Sequence, residues 1–228
     1  WHPCAQMKDH EFLPVIPIRR GEGVWLEDFE GNRYLDAVSS WWVNLFGHSN
    51  PRINAAIRGQ LDRLEHVILA GFTHEPVVRL SERLVSLSPP GLTRCFYADN
   101  GSSAVEAAVK MSLHFWRNHG QAAKTRFVTL SNSYHGETLG ALAVGDVELY
   151  KETYRPLLMD TITVPSPDCF HREPGETWES FSRRQFAHME RTLAEQADQV
   201  QARYGAWFNM SPVAEQEGWV RLHGVRRA

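Results

Sequence analysis

The chain has 228 residues, enough for one large domain or about one and a half ordinary ones, and enough to bury a hydrophobic core. Hydrophobic residues make up 43% of it, and 24 basic against 27 acidic side chains leave a net charge of −3. This balance is ordinary for a globular domain and argues against nucleic acid or another polyanion as the partner.

The cysteines and the apolar runs indicate the environment of the chain. Cys4, Cys95 and Cys169 are an odd number without Cys-x-x-Cys spacing, which favours a reducing compartment over a disulfide framework. The longest apolar runs, such as residues 139–144, are far shorter than the ~20 residues that span a bilayer. We therefore expect a cytoplasmic protein without a membrane span. Since the first residue is Trp1 rather than Met, we also expect the true N-terminus to lie upstream.

The first part of the chain predicts a β-hairpin followed by a loop. Residues 24–35 contain two β-rich runs around a turn cluster at residues 30–32. Residues 39–50 hold paired serines, paired tryptophans and a cluster of glycine and polar residues. They predict a loop.

Two helices are predicted next. The first begins at Pro51 with Asn50 as its N-cap, because proline suits the first helical position and asparagine accepts hydrogen bonds from the first turn. Its apolar residues recur at steps of three and four, at Ile53, Ile57, Leu61, Leu64 and Ile68. The second helix is predicted to begin at Pro76 and to end before Pro89.

The rest of the chain alternates between predicted strands and helices. Strands are predicted at residues 93–98, 126–130 and 161–164, and helices at residues 104–116, 137–144 and 179–201. Such alternation is typical of an α/β fold with a mostly parallel sheet and flanking helices.

Ligands bind at the carboxyl ends of the strands in sheets of this kind, and two loops leave such ends. The first contains Asn100, Gly101, Ser102 and Ser103 at the start of a predicted helix. Free N–H groups, two hydroxyls and the positive end of the helix dipole suit a phosphate group there. An equally good interpretation is that Asn100 or Ser102 only caps the helix. The loop matches neither Walker A nor Gly-x-Gly-x-x-Gly spacing.

The second loop contains Tyr134, His135 and Gly136. An aromatic ring at a strand end suits the face of a planar heteroaromatic cofactor, although a tyrosine packed on its own sheet is the commoner outcome. Trp41 and Trp42 are a third candidate, with one ring lining a pocket, and two core residues are the default alternative.

Other kinds of site find little support in the sequence. There are eleven histidines, but His-Glu-x-x-His is absent and the spacing of His114 and His119 does not suit a shared helix face. No metal site is predicted. The absence of Gly-x-Ser-x-Gly argues against a hydrolase.

Taken in order, the motifs of the chain resemble the N-terminal half of the class III aminotransferases. They are Trp-His-Pro-Cys at residues 1–4, Gly-Glu-Gly-Val-Trp-Leu at 21–26, Tyr-Leu-Asp at 34–36, Ser-Ser-Trp-Trp at 39–42, Asn-Gly-Ser at 100–102, Glu106, and Tyr-His-Gly at 134–136. The match runs from residue 1 to about residue 200. It implies a pyridoxal-phosphate enzyme of fold type I that works as a homodimer, with Gly101 and Ser102 at the cofactor phosphate and Tyr134 at the pyridine ring.

The paired tryptophans and the His-Pro start resemble the branch of the family that serves biotin biosynthesis. This resemblance implies transfer of the amino group of S-adenosylmethionine to 7-keto-8-aminopelargonate, which gives 7,8-diaminopelargonate. It places Trp41 in the substrate pocket with Trp42 beside it, and Tyr134 close to the substrate. It also implies substrate recognition at the position of Cys4, which is often Tyr in the family.

The chain differs from the family in its catalytic residues. Transamination needs a lysine for the Schiff base and an acid beside the pyridinium nitrogen, and the family has both downstream. The four lysines of this chain, Lys8, Lys110, Lys124 and Lys151, stand in other contexts. We therefore expect the Schiff-base lysine to be absent from this chain and the chain alone to be inactive.

The resemblance divides the chain into three parts. Residues 1–50 would be an N-terminal segment with the hairpin, belonging to the small domain, and residues 51–200 the first part of the large cofactor-binding domain. Residues 201–228 have no clear strand or helix period and would be an atypical tail.

Two other functions stay open: a class III transaminase for ω-amino acids or diamines, and a non-catalytic remnant or interaction module.

Overall fold

The computed structural model describes residues 2, 5–205, 208–216 and 219–226. The chain forms two compact units, Trp1–Cys95 and Phe96–Ala228. Cys4, to which the sequence assigned substrate recognition, lies outside the described residues, and the domain boundaries predicted at residues 50 and 200 stay predictions.

The first unit contains a three-stranded antiparallel sheet. Its strands are β1 (Ile18–Glu22), β2 (Trp25–Asp28) and β3 (Arg33–Leu35), in that spatial order. The predicted hairpin is confirmed as β2 and β3, and β1 is an additional strand. Asp28 holds the turn between β2 and β3, since its carboxylate accepts hydrogen bonds from the backbone N–H groups of residues 30 and 32 and from the side chains of residues 32 and 34.

The stretch that follows differs from the predicted loop. Ser39–Trp42 form a single helical turn (α1), whose four residues have φ values of 49°, 47°, 67° and 67°. Positive φ marks the left-handed region, which residues with a Cβ rarely enter. Local preference therefore gave no sign of this turn, and contacts from outside it must hold it.

Besides a 3-10 helix at Met7–Glu11, the first unit contains two longer helices. They are α2 (Pro51–Leu61) and α3 (Glu75–Leu87). The predicted cap is confirmed, because the Asn50 side chain accepts hydrogen bonds from the N–H groups of Arg52 and Ile53 at 3.1 and 3.2 Å. The helix ends earlier than the apolar period indicated, so Leu64 and Ile68 lie beyond it.

The second unit has the predicted alternation of strands and helices. Its strands and α-helices up to the tail are α4 (Gly101–Asn118), β4 (Phe127–Leu130), α5 (Leu139–Val144), α6 (Glu148–Lys151), β5 (Thr161–Val164) and α7 (Trp178–Gly205). Strands β4 and β5 pair in parallel, from Phe127 beside Thr161 to Leu130 beside Val164. The α/β fold with a parallel sheet is confirmed.

Two predictions of secondary structure in this part of the chain were wrong. Residues 93–98 are not a strand, because a strand requires a hydrogen-bonded neighbour and none of the described segments lies beside them. Residues 208–226, for which no period was found, contain β6 (Phe208–Gln216) and β7 (Trp219–Arg226), which pair antiparallel. The backbone groups on the two facing edges of the strands pair with each other, and this pairing does not depend on an apolar alternation.

A small hydrophobic core is centred on helix α5, which follows the loop after β4. The buried apolar side chains of the described residues are Ala141, Leu142, Ala143, Val144, Val164 and Phe181, and most of them belong to α5. The hydroxyl of Thr129, also buried, donates a hydrogen bond to the carbonyl of Val144. Helix α5 is thereby fixed to strand β4. None of the helices in the described part of the chain is long and apolar enough to cross a membrane.

Candidate functional site

The N-terminus of helix α4 is the candidate phosphate site. Asn100 caps this helix, because its side-chain oxygen accepts a hydrogen bond from the N–H of Ser103 at 2.9 Å and its carbonyl accepts one from the N–H of Ala104 at 3.1 Å. Within the described residues, the N–H groups of Gly101 and Ser102 have no acceptor. The cap at Asn100 is confirmed, and it leaves the N–H groups of Gly101 and Ser102 available to an anion, so the phosphate site stays a prediction.

The surroundings of Gly101 leave room for a ligand. A Cβ built on this glycine would meet no atom within 4 Å. The helix continues to Asn118, so several turns of aligned peptide dipoles place partial positive charge at this end. Open space, free N–H groups and positive potential are the features that bind a phosphate group.

The loop of residues 131–138, which we call the tyrosine loop, packs directly against this helix end. Gly136 is buried and has a φ of 123°, and a Cβ built on it would lie 2.1 Å from the Oγ of Ser102. The N–H of Glu137 donates a hydrogen bond to the same Oγ at 3.3 Å. Since the Ser102 oxygen accepts this bond, its own proton is left to donate to a ligand.

Glu106 fastens the far end of the tyrosine loop to helix α4. Its carboxylate accepts hydrogen bonds from the N–H groups of Gly140 and Ala141, at 2.7 and 3.2 Å. The hydroxyl of Thr138, followed by these two N–H groups, lowers the pKa of Glu106 from its ordinary value. The sequence included Glu106 in a motif but gave it no role. Its position one helical turn after Ser102 places it on the same face of the helix, and this spacing was the sequence feature that could have indicated a role near Ser102.

The near end of the tyrosine loop is also fixed. The carbonyl of Ser133 accepts a hydrogen bond from the N–H of Asp146 at 2.7 Å, and the Asp146 carboxylate accepts one from the N–H of Asn132 at 3.1 Å. The hydroxyls of Ser133 and Thr129 lie 2.9 Å apart. Because both ends are bound, the loop presents its middle residues in a defined position.

Tyr134 is the aromatic residue of this loop, and it is 57% exposed. Its hydroxyl donates a hydrogen bond to Glu137 at 3.2 Å, and its ring meets the edge of Tyr150 with centroids 5.9 Å apart. The ring is therefore not buried, and the choice between a cofactor contact and packing on the sheet stays open. The ring retains exposed surface beside the helix end that suits phosphate.

Trp41 and Trp42 belong to the first unit and are 62% and 73% exposed. They are not core residues in this structure, which removes the default interpretation of the sequence. Both indoles are carried by the left-handed turn α1, which we call the tryptophan turn.

Three lysines of the second unit have defined neighbours. The ammonium group of Lys151 donates a hydrogen bond to the carbonyl of Gly145 at 2.8 Å. The ammonium group of Lys124 lies 3.4 Å from the centre of the Trp116 ring. The positive charge of Lys110 lowers the pKa of Glu106 further. The described residues contain no cluster of three His, Cys, Asp or Glu side chains arranged to hold a metal ion.

Comparison with known proteins decides the family. The family model described as aminotransferase class-III matches residues 5–202. The chain belongs to the class-III aminotransferase family. The resemblance inferred from the motifs is thereby confirmed.

Curated relatives of the chain carry the name adenosylmethionine-8-amino-7-oxononanoate aminotransferase. The protein of this name from Helicobacter pylori is 55% identical over 173 residues, which are 75% of this chain and 39% of the relative. The one from Geobacter sulfurreducens is 47% identical over 175 residues, 77% of this chain and 39% of the relative. The chain thus spans well under half the length of these relatives.

Solved structures of transaminases have the same fold. The adenosylmethionine-8-amino-7-oxononanoate aminotransferase of Methanocaldococcus jannaschii is 42% identical, with a TM-score of 0.70 over 74% of this chain and 38% of that one. An omega transaminase of Pseudomonas jessenii, solved in complex with PMP, is 26% identical, with a TM-score of 0.78 over 86% of this chain and 44% of that one.

Proposed function

We propose that this class-III aminotransferase chain supplies the phosphate- and ring-binding part of a pyridoxal-phosphate enzyme of biotin biosynthesis. The reaction moves the amino group of S-adenosylmethionine to 7-keto-8-aminopelargonate and gives 7,8-diaminopelargonate. The names and identities of the bacterial relatives support this choice. The observation that carries it is the helix end at Gly101 and Ser102, which fits a phosphate group and lies against the loop that bears Tyr134.

The residues of the chain have separate roles in this proposal. The N–H groups of Gly101 and Ser102 and the Ser102 hydroxyl bind the phosphate of the cofactor, because all three are free to donate. The ring of Tyr134 covers the flat face of the pyridine ring. The cofactor, when bound, would supply an electron sink for chemistry at the substrate Cα.

Trp41 and Trp42 are the proposed substrate contacts. Indoles combine a large apolar face with an N–H donor, and their electron-rich face attracts cations such as a sulfonium group. The exposure of both side chains supports a role in binding rather than in the core. Cys4 is proposed as a further substrate contact on the resemblance alone.

The Schiff-base lysine is proposed to lie outside this chain. Lys151 is bound to backbone carbonyls and Lys124 lies against an indole ring, so neither ammonium group is poised as a free nucleophile. We therefore expect the chain alone to bind the cofactor without turning it over. Homodimer formation and a cytoplasmic location complete the proposal and rest on the resemblance.

A second candidate is an omega transaminase that acts on ω-amino acids or diamines. It is favoured by the Pseudomonas jessenii structure, which matches a larger share of this chain than the Methanocaldococcus jannaschii structure does, although at lower identity. Isothermal titration with S-adenosylmethionine, β-alanine and a diamine separates the two. Binding of S-adenosylmethionine alone is expected, and binding of only the other amines would favour the second candidate.

Cofactor binding is tested by equilibrium titration of the chain with pyridoxal phosphate. Ser102→Ala is expected to weaken binding by roughly 1–3 kcal/mol, about 5- to 150-fold, because it removes a donor to a charged group. Ser86→Ala is the control, since the Ser86 hydroxyl already donates to the carbonyl of Arg83 within helix α3, and it should bind like the unchanged chain. Equal affinity of both variants would contradict the assignment of Ser102. A borohydride-reducible visible band would contradict the absence of the Schiff-base lysine.

A further inference from the structure

The tryptophan turn adopts a conformation that its own residues disfavour. Ser39, Ser40, Trp41 and Trp42 are consecutive, none is glycine, and all have φ values between 47° and 67°. An L-residue pays roughly 1–2 kcal/mol in the left-handed helical region, so four in succession carry a substantial strain. Such strain persists only when the surroundings impose the conformation.

The carbonyl of Val38 accepts a hydrogen bond from the N–H of Trp42 at 2.8 Å, and the carboxylate of Asp36 binds the first half of the turn from outside. One of its oxygens accepts a hydrogen bond from the N–H of Ser40 at 2.9 Å, and the other accepts one from the Ser40 hydroxyl at 2.7 Å. The carbonyl of Asp36 accepts a third bond from the N–H of Ser39 at 3.2 Å. Asp36 thus fixes the first half of the turn, on which the positions of both indoles depend.

His48 holds Asp36 in turn. Its Nε2 lies 2.8 Å from the Asp36 carboxylate, and the side chains of the two residues are only 16% and 6% exposed. The backbone of His48 exchanges two hydrogen bonds with Gly23, at 3.1 and 2.7 Å. A Cβ on Gly21 would lie 2.8 Å from the Cβ of His48. His48 is therefore locked to the edge of the sheet and connects it to the turn.

We propose that Asp36 and His48 are positioning residues, which hold the tryptophan turn in its left-handed form and so set the orientation of Trp41 and Trp42. The consequence for substrate binding rests on the proposed function, whereas the effect on the indoles does not. The N–H and hydroxyl of Ser40, then His48, lower the pKa of Asp36, which keeps its carboxylate charged at neutral pH. Without this charge, the four residues relax toward ordinary backbone angles and both indoles move.

The test follows the indole N–H signals of Trp41 and Trp42 in the isotope-labelled chain by NMR, assigned with Trp41→Phe and Trp42→Phe. Asp36→Asn is expected to shift both signals. Asp28→Asn is the matched control, because the Asp28 carboxylate also accepts several hydrogen bonds and holds a turn of the same sheet. It should lower Tm without moving the two indole signals. If Asp36 had a merely structural role, Asp36→Asn would also lower Tm and leave the two indole signals unchanged.

Two further variants cover the case in which Asp36→Asn does not fold. Ser40→Ala removes one hydroxyl donor and His48→Asn removes the imidazole, and each is expected to shift the same two signals by a smaller amount. Unchanged signals in the folded variants, or equal shifts in Asp28→Asn, would overturn the proposal.

Titration with S-adenosylmethionine separates this inference from the proposed function. Weaker binding in Asp36→Asn, together with shifted indole signals, supports both. Shifted signals in a chain that does not bind S-adenosylmethionine at all would overturn the proposed substrate and support the positioning role. Binding that is unaltered despite shifted signals would overturn the link between the turn and the substrate.

Discussion

The tryptophan turn and the tyrosine loop both present aromatic side chains to solvent, but different forces hold them. The tryptophan turn has four strained residues and is bound by one carboxylate, that of Asp36. The tyrosine loop passes so close to Ser102 that only a glycine fits at residue 136, and the buried helix α5 follows it. The first segment should therefore respond to charge and the second to side-chain volume.

The largest effect is expected from a side chain at position 136. Gly136→Ala places a Cβ against Ser102 at a φ of 123°, so the loop must move away from the helix end. Strain and overpacking of this kind typically destabilise by about 1–3 kcal/mol each, and pyridoxal phosphate binding should be lost with the displaced loop. Chemical denaturation and cofactor titration measure the two effects.

Gly175→Ala is the control for this prediction. Gly175 also has a positive φ, 83°, but a Cβ there would meet no atom within 4 Å. Gly175→Ala should therefore lose stability through backbone strain and keep its affinity for pyridoxal phosphate. Similar losses of binding in both variants would show that the contact with Ser102 is not the cause.

The next effect concerns the carboxylate that fastens the tyrosine loop. Glu106→Ala leaves the N–H groups of Gly140 and Ala141 without this acceptor. We expect a loss of roughly 1–2 kcal/mol in the free energy of unfolding, at the low end of the usual cost because Glu106 is partly exposed. Glu106→Gln keeps one oxygen acceptor and should recover part of the loss in urea denaturation. No difference between the two variants would refute the role of the hydrogen bonds.

A smaller effect is expected from acid on the tryptophan turn. Because the pKa of Asp36 is lowered in the folded chain, its contribution to stability is complete above the ordinary value, roughly 3.9, and is lost as the pH falls through the folded pKa. The indole signals of Trp41 and Trp42 should change as the pH falls below about 4. In Asp36→Asn this late change should disappear. Its persistence would assign the transition to another group.

The smallest effect is expected at the hydroxyl of Tyr134. Tyr134→Phe removes one exposed hydrogen bond to Glu137 and keeps the ring, so Tm and the affinity for pyridoxal phosphate should stay nearly unchanged. Tyr134→Ala removes the ring and should weaken cofactor binding. If both variants bound equally weakly, the hydroxyl rather than the ring would be the contact.

Several local features were predictable because they depend on neighbours in sequence. The cap at Asn50 follows from an amide oxygen placed next to the first turn of a helix, and the same rule applies at Asn100. The paired parallel strands β4 and β5 were recognisable as short β-rich runs separated by helices. The ordered motifs were sufficient to recognise the family that the comparison confirms.

Other features depend on contacts between distant residues. Residues 93–98 have β-rich composition but no strand partner among the described segments, so composition alone predicted a strand that is absent. Glu106 binds N–H groups more than thirty residues away in the chain, at Gly140 and Ala141, and its position one helical turn after Ser102 does not identify these partners. The role of Gly136 likewise depends on where Ser102 lies.

The sequence by itself determined the α/β alternation, the presence of a helix after the loop at Asn100, and the membership of the class-III aminotransferases. These depend on short-range hydrogen bonding and on the order of motifs. Only the tertiary structure decided that Ser39–Trp42 form a left-handed turn and that Asp36 and His48 hold it. The reason is that the intrinsic preference of each of these residues opposes the turn, and only contacts fixed by the sheet make it the stable form.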